Sequence, residues 1–333
     1  MNMKSSVAEA PPGFRGIGGG ITLQGVLKHI VWIWLVALVI LFGALNSFFL
    51  TGANLNNILT QATVLGLLAL AAALPLLVGE IDLSIAGNMG ISSAIGALSI
   101  AQFGLPAGVG VLVGLGVATL IGFINGICVT RFRMVSLIET LGMMIILQGA
   151  LLAITRGSTI VDFTDGYLWL GQAYVGGFPV MPGVLFVSFI AMAILLRRTI
   201  FGRMLYATGG NTAAAAVAGI RVNRIKVAAY TLSGLIAGLA GYMLAAWQMA
   251  ITSDQGSNFL LYSIAAPIIG GVSVFGGRGN AFGILGGVLL LTVISAGLAI
   301  VNVPSFYVEM TGGFLIFIAV AVDALRVRAA SRS

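Results

Sequence analysis

Ten long apolar stretches, separated by short polar segments, follow one another along the chain. Each is close to the roughly 20 apolar residues that an α-helix needs to cross a bilayer. The stretches cover residues 30–50, 57–79, 83–103, 106–130, 134–154, 181–197, 226–250, 258–276, 281–301 and 306–325. The sequence therefore predicts an all-α polytopic membrane protein of about ten transmembrane helices with broken or re-entrant segments.

The composition of the chain excludes most other classes of protein. Of its 333 residues, 59% are hydrophobic and 8% are charged, whereas roughly 25% of residues are charged in a soluble domain. Ten spans leave only short loops, so there is no room for a soluble catalytic domain. The single Cys128 and the single His29 exclude an intrachain disulfide and a His/Cys metal site.

Basic residues indicate the orientation of the helices, because Lys and Arg concentrate in cytoplasmic loops. With the amino terminus in the cytoplasm, 15 of the 16 basic residues fall in inside segments, and only Arg156 falls outside. The inside residues are Lys4, Arg15, Lys28, Arg131, Arg133, Arg197, Arg198, Arg203, Arg221, Arg224, Lys226, Arg278, Arg326, Arg328 and Arg332. This bias favours both termini in the cytoplasm and explains the net charge of +7 without nucleic acid as a partner.

The chain divides into three predicted regions. Residues 1–27 form a polar cytoplasmic tail, residues 28–328 a single transmembrane domain, and residues 329–333 a short cytoplasmic tail. The longest outward segment covers residues 155–180. It is either the place where an external partner docks or a passive connector with aromatic residues at the membrane interface.

Two stretches predict breaks in the helical backbone. Proline removes a backbone donor and glycine weakens a helix, so residues 74–89 and 267–280 should contain broken or re-entrant backbone. Four residues of the first stretch recur 192 positions later in the second, and they are Pro75, Gly79, Gly87 and Asn88. The match fits either a parallel internal repeat or chance, since Pro and Gly are common in membrane helices.

Ionisable and polar residues at membrane depth usually face a bundle interior or a transport pathway. The candidates for a substrate pathway are Glu80, Asp82, Ser84, Asn88, Glu139, Gln248, Tyr262, Asn280 and Glu309. Two alternatives stay open. Asp82 and Ser84 can cap the helix that starts near Leu83, and the other polar residues can simply join helices by hydrogen bonds.

The basic segment 198–225 contains the pattern of a short exposed helix. The chain is expected to turn at two consecutive glycines, after which Asn211 or Thr212 caps a helix that Gly219 ends. Such a short Ala-rich helix is only marginally stable by itself. We therefore interpret it as a small knob that fits a partner's groove. The alternative is an ordinary interfacial loop. The residues assigned to this contact are Gly209, Gly210, Asn211, Thr212, Ala215, Gly219 and Arg221.

Several motifs occur in a consistent order along the chain. They are GEIDLS (79–84), GRMLYATGGN (202–211), AGIRVNRIK (218–226), GYM (241–243) and GGRG (276–279). Over about residues 30–328 the chain resembles the ribose/xylose/arabinose-type permeases of bacterial ABC importers. Members of that family commonly have a glycine where this chain has Glu80, which leaves the identity of the substrate open.

The resemblance implies a multi-pass permease subunit of the bacterial inner membrane. Its implied partners are a second permease copy (identical or related), a cytoplasmic ABC ATPase and a periplasmic substrate-binding protein. Residues 211–219 would form the coupling helix. ATP and Mg would be bound by the ATPase, and this chain would bind no cofactor.

The chain contains no Gly-x-x-x-x-Gly-Lys-Ser/Thr sequence for cradling ATP phosphates. We therefore expect a non-enzymatic subunit that imports a monosaccharide with energy from its ATPase partner. The alternatives are import of a nucleoside, a branched-chain amino acid or a sugar-like signal. A more distant alternative is an ion-coupled transporter in which Glu80, Asp82, Glu139 and Glu309 form a relay.

Overall fold

The computed structural model describes residues 23–330. Residues 1–22 of the predicted tail 1–27 and residues 331–333 of the predicted tail 329–333 lie outside the described residues. The chain divides into two compact units, residues 1–30 and residues 31–333. Of the first unit the structure describes residues 23–30, which are helical.

Helices make up most of the described structure. Between them lie two 3-10 turns, Ser47–Leu50 and Ser257–Phe259, and one short antiparallel hairpin of strands β1 (Tyr174–Val175) and β2 (Phe178–Pro179). The helices are α1 (Leu23–Leu45), α2 (Gly52–Leu77), α3 (Ile85–Phe103), α4 (Ala107–Arg131), α5 (Ser136–Thr155), α6 (Asp165–Gln172), α7 (Val180–Arg198), α8 (Ile200–Gly210), α9 (Thr212–Val217), α10 (Val222–Gln248), α11 (Leu260–Ile269), α12 (Ala281–Ile300) and α13 (Ser305–Ala330).

Each of the ten predicted apolar stretches contains a helix. Among the described residues, six helices are long and apolar enough to cross a membrane, namely α2, α4, α5, α7, α10 and α12. The chain is therefore an all-α polytopic membrane protein. Within the apolar stretch 258–276, α11 has only ten residues and its last turn contains Pro267.

Both predicted breaks are confirmed, and the two have the same geometry. Pro75 lies in the last turn of α2, Gly79 has φ of +77°, and the amide after Gly79 donates to the Pro75 carbonyl at 3.0 Å. At the end of α11, Gly271 has φ of +90° and the next amide donates to the Pro267 carbonyl at 2.9 Å. This bond closing over a left-handed glycine is the Schellman ending. Irregular backbone then leads to α3 and α12.

Helices α2, α3 and α10 form the centre of the bundle. The apolar window of α2 is 89% buried, whereas those of α4 and α5 are 28% buried, which leaves these two helices at the periphery. Close approach in the centre depends on small residues. A methyl group on Gly241 of α10 would overlap the Met89 carbonyl of α3, and one on Gly122 of α4 would overlap the Tyr230 carbonyl of α10.

The loops and short elements gather at two opposite ends of the bundle. One end, which we call the knob end, holds α8, α9 and both breaks, and here Gly277 donates its amide to the Leu77 carbonyl at 3.0 Å. The other end, called the hairpin end, holds α6, the β-hairpin and the loop after α10. There Ile160 and Ile251 pair through two backbone bonds of 2.9 Å.

Candidate functional site

The first break is ordered by a buried carboxylate. Asp82 is 3% exposed, and its Oδ1 accepts hydrogen bonds from the Ser84 amide (2.9 Å) and hydroxyl (2.6 Å). Ser233 of α10 donates to Asp82 Oδ2 at 3.4 Å, and Asn125 of α4 donates to the Ser84 hydroxyl at 2.7 Å. Ser84 makes no capping bond to α3, so its predicted capping role is wrong. Asp82 orders the turn before the helix instead, because its Oδ1 accepts the hydrogen bond from the Ser84 amide.

Neighbouring helices satisfy the backbone that the first break exposes. The Thr140 hydroxyl of α5 accepts from the Leu83 amide at 3.1 Å and lies 3.3 Å from the Ile81 carbonyl. The Tyr230 hydroxyl of α10 donates to the same carbonyl at 3.3 Å. Irregular backbone at membrane depth is tolerated only where such partners replace the missing helical bonds.

Asn88 and Glu139 belong to the same buried cluster. Glu139 is 6% exposed and interacts electrostatically with Asp82, and Asn88 donates its side-chain amide to the Ala118 carbonyl at 3.0 Å. One acceptor oxygen each of Asn88, Asn125 and Glu139 has no hydrogen-bond partner among the described residues. We call Asp82, Ser84, Asn88, Asn125, Glu139, Thr140 and Ser233 the buried polar cluster. Its free acceptors are suited to hydroxyl or water donors.

Glu80 lies apart from the buried polar cluster although only one residue separates it from Asp82. Its carboxylate forms an ion pair with Lys226 Nζ at the start of α10. Both side chains are mostly buried. The charge of Glu80 is therefore compensated within the chain, and the pair ties the first break to the first turn of α10.

The other four pathway candidates do not join the cluster. Gln248 is exposed at the end of α10, and Asn280 caps α12 by accepting from the Gly283 amide at 2.8 Å. Tyr262 of α11 interacts electrostatically with the exposed Glu309 of α13. Their role in a substrate pathway stays a prediction.

The local structure of the knob follows the predicted pattern. Asn211 accepts from the Ala214 amide at 2.9 Å and caps α9, while Thr212 bonds back to the Thr208 carbonyl at 2.9 Å. Gly219 has φ of +83°, and the amide after it donates to the Ala215 carbonyl at 3.0 Å. Asn211 is therefore the cap, and Gly219 ends the helix as expected.

The predicted turn at Gly209 and Gly210 is wrong, because both glycines belong to α8 and the chain turns at Asn211. A methyl group on Gly209 would overlap the Leu77 carbonyl and lie 2.6 Å from the Gly277 amide. Gly209 thus serves close packing and not a turn. Nothing lies within 4 Å of the corresponding position on Gly210.

Helix α8 contacts both breaks at once. Gly209 covers the point where the Leu77 carbonyl meets the Gly277 amide, and Tyr206 donates its hydroxyl to the Gly279 carbonyl at 2.8 Å. Burial raises the pKa of Tyr206 more than nearby Arg197 lowers it, so the hydroxyl stays protonated and able to donate. The end of α2, the segment after α11 and the outer helix α8 therefore form one packed junction, which we call the break junction.

Helix α9 presents small side chains away from the chain. Ala215 is 4% exposed and packs inward, whereas Val217 is 91% exposed. Ala213, Ala214 and Ala216 are also exposed. Of the residues assigned to a partner contact, Gly209 and Ala215 thus face the chain itself, and the exposed surface centres on Ala214 and Val217.

Sequence reasoning missed Tyr206, Tyr230 and Ser233. Tyr206 stands within the motif 202–211, but nothing local indicates its bond to a segment 73 residues away. Ser233 is one of several small residues in α10, a type that usually permits close helix packing. Only the fold shows that its hydroxyl reaches Asp82.

The arrangement defines a class of protein: a polytopic α-helical membrane permease whose two broken helices meet beneath an external helical knob. The chain belongs to the family described as branched-chain amino acid transport system / permease component, which matches residues 54–321. Similar proteins include a ribose import permease protein of Bacillus subtilis (strain 168), 36% identical over 91% of this chain and 95% of the relative.

Two further relatives carry the names of other sugars. An L-arabinose ABC transporter permease protein of Azospirillum brasilense is 34% identical over 84% of this chain and 82% of its own length. A fructose import permease protein of Rhizobium meliloti is 36% identical over 87% of this chain and 83% of its own length. The resemblance to sugar-type permeases of ABC importers is thereby confirmed.

Proposed function

We propose that this chain is the membrane-spanning subunit of an ATP-driven importer that moves a monosaccharide into the cytoplasm. The observation that carries the proposal is the break junction. An exposed knob of small residues continues directly into α8, and α8 packs on both broken helices without intervening side chains at Gly209. A displacement of α9 would therefore be transmitted through α8 to both breaks.

The proposed topology has ten spans with both termini in the cytoplasm of a bacterium and the chain in the inner membrane. The distribution of charge supports it. The knob end carries the basic segments around Arg131, Arg203, Arg224 and Arg278, whereas Arg156 lies on the loop toward the hairpin end. Positive residues favour the cytoplasmic side, so the knob end would face the ATPase and the hairpin end the periplasm.

The proposed partners are a cytoplasmic ABC ATPase at α9, a periplasmic binding protein at the hairpin end and a second permease copy, identical or related. ATP and Mg²⁺ would be bound by the ATPase. A small apolar surface such as that of Ala214 and Val217 loses little side-chain entropy when it enters a groove. Binding there can shift the bundle only if it favours one of two packed arrangements.

The substrate class is inferred from the relatives and from the buried polar cluster. The names of similar permeases specify ribose, arabinose and fructose. The unpartnered acceptors of Asn88, Asn125 and Glu139 match the hydroxyl donors of a sugar in chemical type. The other solutes to compare are a nucleoside, a sugar-like signal and a branched-chain amino acid, which the family description names.

One observation favours the ion-coupled alternative, which is that two carboxylates, Asp82 and Glu139, are buried close enough to interact. Buried carboxylates at membrane depth often relay protons or bind cations. Both oxygens of Asp82, however, already accept hydrogen bonds from serine side chains, and Glu80 is paired with Lys226. This use of Asp82 favours an ordering role.

The experiment targets the exposed face of α9. Val217→Arg places a long charged side chain on a position that is 91% exposed, so the isolated permease should keep its thermal stability. Its affinity for the cognate ATPase should fall by more than about tenfold, because a desolvated charge without a partner opposes docking. ATP-driven uptake of labelled D-ribose, L-arabinose, D-fructose and L-leucine is then compared in proteoliposomes with the complete complex.

Two control variants define the result. Val217→Ala keeps a small apolar surface and should retain ATPase binding, and Phe132→Arg changes an exposed residue outside the knob. Normal ATPase binding and uptake by Val217→Arg would remove α9 as the coupling element. Uptake by the permease alone, driven by an ion gradient, would establish the ion-coupled transporter instead.

A further inference from the structure

A long groove runs between α4 and α10 on the outside of the bundle. It encloses about 660 Å³ and is open along one side. Its walls are predominantly apolar, and its lining residues are spaced three to four positions apart on each helix, so that one face of α4 opposes one face of α10. The groove is distinct from the buried polar cluster and from the break junction, neither of which contributes a lining residue.

The groove follows from the placement of glycines in α4. Methyl groups at Gly122 and Gly126 would overlap or crowd the backbone of α10 near Tyr230 and Val227. The two helices therefore touch along this seam with almost no side chains between them. Larger residues beside the seam, such as Phe123 and Leu235, lie on the two flanks and enclose the space.

The length of the groove matches one leaflet of a bilayer. Along α4 it extends from Thr119 to Arg131, 12 residues apart, and along α10 from Arg224 to Leu235. At 1.5 Å per residue these segments are roughly 17–18 Å long. Half of a hydrocarbon core about 30 Å thick is about 15 Å. An acyl chain that enters at the knob end would thus follow the groove to the middle of the membrane.

The mouth of the groove is positively charged and polar. Arg131, Asn223 and Arg224 line it at the knob end, and all three are exposed. Among the side chains that the structure describes, the one ion pair joins Glu80 and Lys226, so neither of these arginines is paired with a described carboxylate. Two unpaired guanidinium groups above an apolar channel are complementary to a phosphate ester that carries acyl chains.

We propose that this groove binds an anionic phospholipid of the leaflet at the knob end. The acyl chain lies between α4 and α10, and the headgroup phosphate is held by Arg131 and Arg224. The bound lipid joins the ends of two helices that also hold the first break, since Asn125 of α4 bonds Ser84 and Lys226 of α10 pairs with Glu80. The lipid therefore stabilises the ordered form of that break.

The test measures lipid binding to the purified full chain by native mass spectrometry after removal of lipid. Dioleoyl phosphatidylglycerol should bind, and dioleoyl phosphatidylcholine should bind more weakly. A basic residue near an anionic headgroup is worth about fivefold in affinity, so Arg131→Gln or Arg224→Gln should each lower binding about fivefold and the double variant about 30-fold. Arg203→Gln, an exposed arginine of α8 outside the groove, should leave binding unchanged.

A second variant tests the acyl channel without changing charge. Ala228 lines the groove, and Ala228→Phe should fill part of it. That variant should lose affinity for the dioleoyl lipid while keeping that for dihexanoyl phosphatidylglycerol, whose chains are too short to need the channel. Circular dichroism and melting in detergent establish that each variant is folded.

Several outcomes would overturn the proposal. One is equal binding of phosphatidylglycerol by the double arginine variant and by Arg203→Gln. Another is equal binding of phosphatidylcholine and phosphatidylglycerol. A third is disulfide crosslinking between two copies of the Phe123→Cys variant, which would make the groove a protein interface. Since these measurements use neither ATP nor an ATPase, they are independent of the proposed transport function.

Discussion

Gly209→Ala is the sharpest test of the break junction. The added methyl group would overlap the Leu77 carbonyl and approach the Gly277 amide to 2.6 Å, which are the two groups that hydrogen-bond each other at 3.0 Å. Overpacking typically costs about 1–3 kcal/mol, and loss of the hydrogen bond adds about 0.5–1.5 kcal/mol. Alanine in a helix returns about 0.5–1 kcal/mol, so unfolding free energy should fall by roughly 0.5–4 kcal/mol.

The adjacent glycine provides a matched control for this prediction. No atom lies within 4 Å of a methyl group on Gly210, which also belongs to α8. Gly210→Ala should therefore leave stability unchanged or raise it by up to about 1 kcal/mol. The assay is denaturant unfolding of both variants in the same detergent, followed by ATP-driven uptake with the complete complex. Equal stability and equal uptake for the two variants would refute the close contact between α8 and the two breaks.

Substitutions at Asp82 and Gly241 test the buried polar cluster and the helix crossing. Asp82→Asn keeps an acceptor for the Ser84 amide and should retain most uptake, whereas Asp82→Ala leaves buried donors unpaired at about 1–3 kcal/mol each and should lose much of it. Loss of uptake in well-assembled Asp82→Asn protein would instead support a proton relay. Gly241→Ala would overlap the Met89 carbonyl and should lower the free energy of unfolding by about 1–3 kcal/mol. The control is Gly116→Ala, which has no neighbour within 4 Å and should not lower it. Equal melting of these two variants would contradict the close crossing of α3 and α10.

Features that depend on local chemistry could be predicted from the sequence. The helices follow from apolar length, and the two breaks follow from prolines and glycines that cannot continue a helix. The cap at Asn211 and the ending at Gly219 follow from side-chain and backbone preferences within one helical turn. Each of these signals lies within a few residues of the structure that it produces.

Features that depend on distant neighbours could not be predicted. A glycine pair reads equally well as a turn or as a close contact, and the Leu77 carbonyl that decides the role of Gly209 is 132 positions away in the chain. The nine pathway candidates share the same sequence signal, a polar residue in an apolar run. Burial separates Asp82, Ser84, Asn88 and Glu139 from the rest, because only those four lie where α3, α4, α5 and α10 meet.

The two breaks are similar beyond the four shared residues that the sequence displays. Each follows a proline in the last helical turn and a left-handed glycine, and the closing bonds from the next amide differ by only 0.1 Å. The equivalent positions are 192 residues apart in every case, which favours an internal repeat over chance. The two segments also meet through the Leu77 and Gly277 backbone.

This contact determines how a displacement of α8 would be transmitted. A long side chain between α8 and the breaks could change between staggered rotamers and so absorb a movement of an ångström or more. Backbone atoms packed against Gly209 have no such freedom, and close-packed interiors transmit strain. Since the same glycine touches the end of α2 and the segment after α11, a shift of α8 must act on both breaks together. The junction is therefore suited to switch between two packed arrangements and poorly suited to graded deformation.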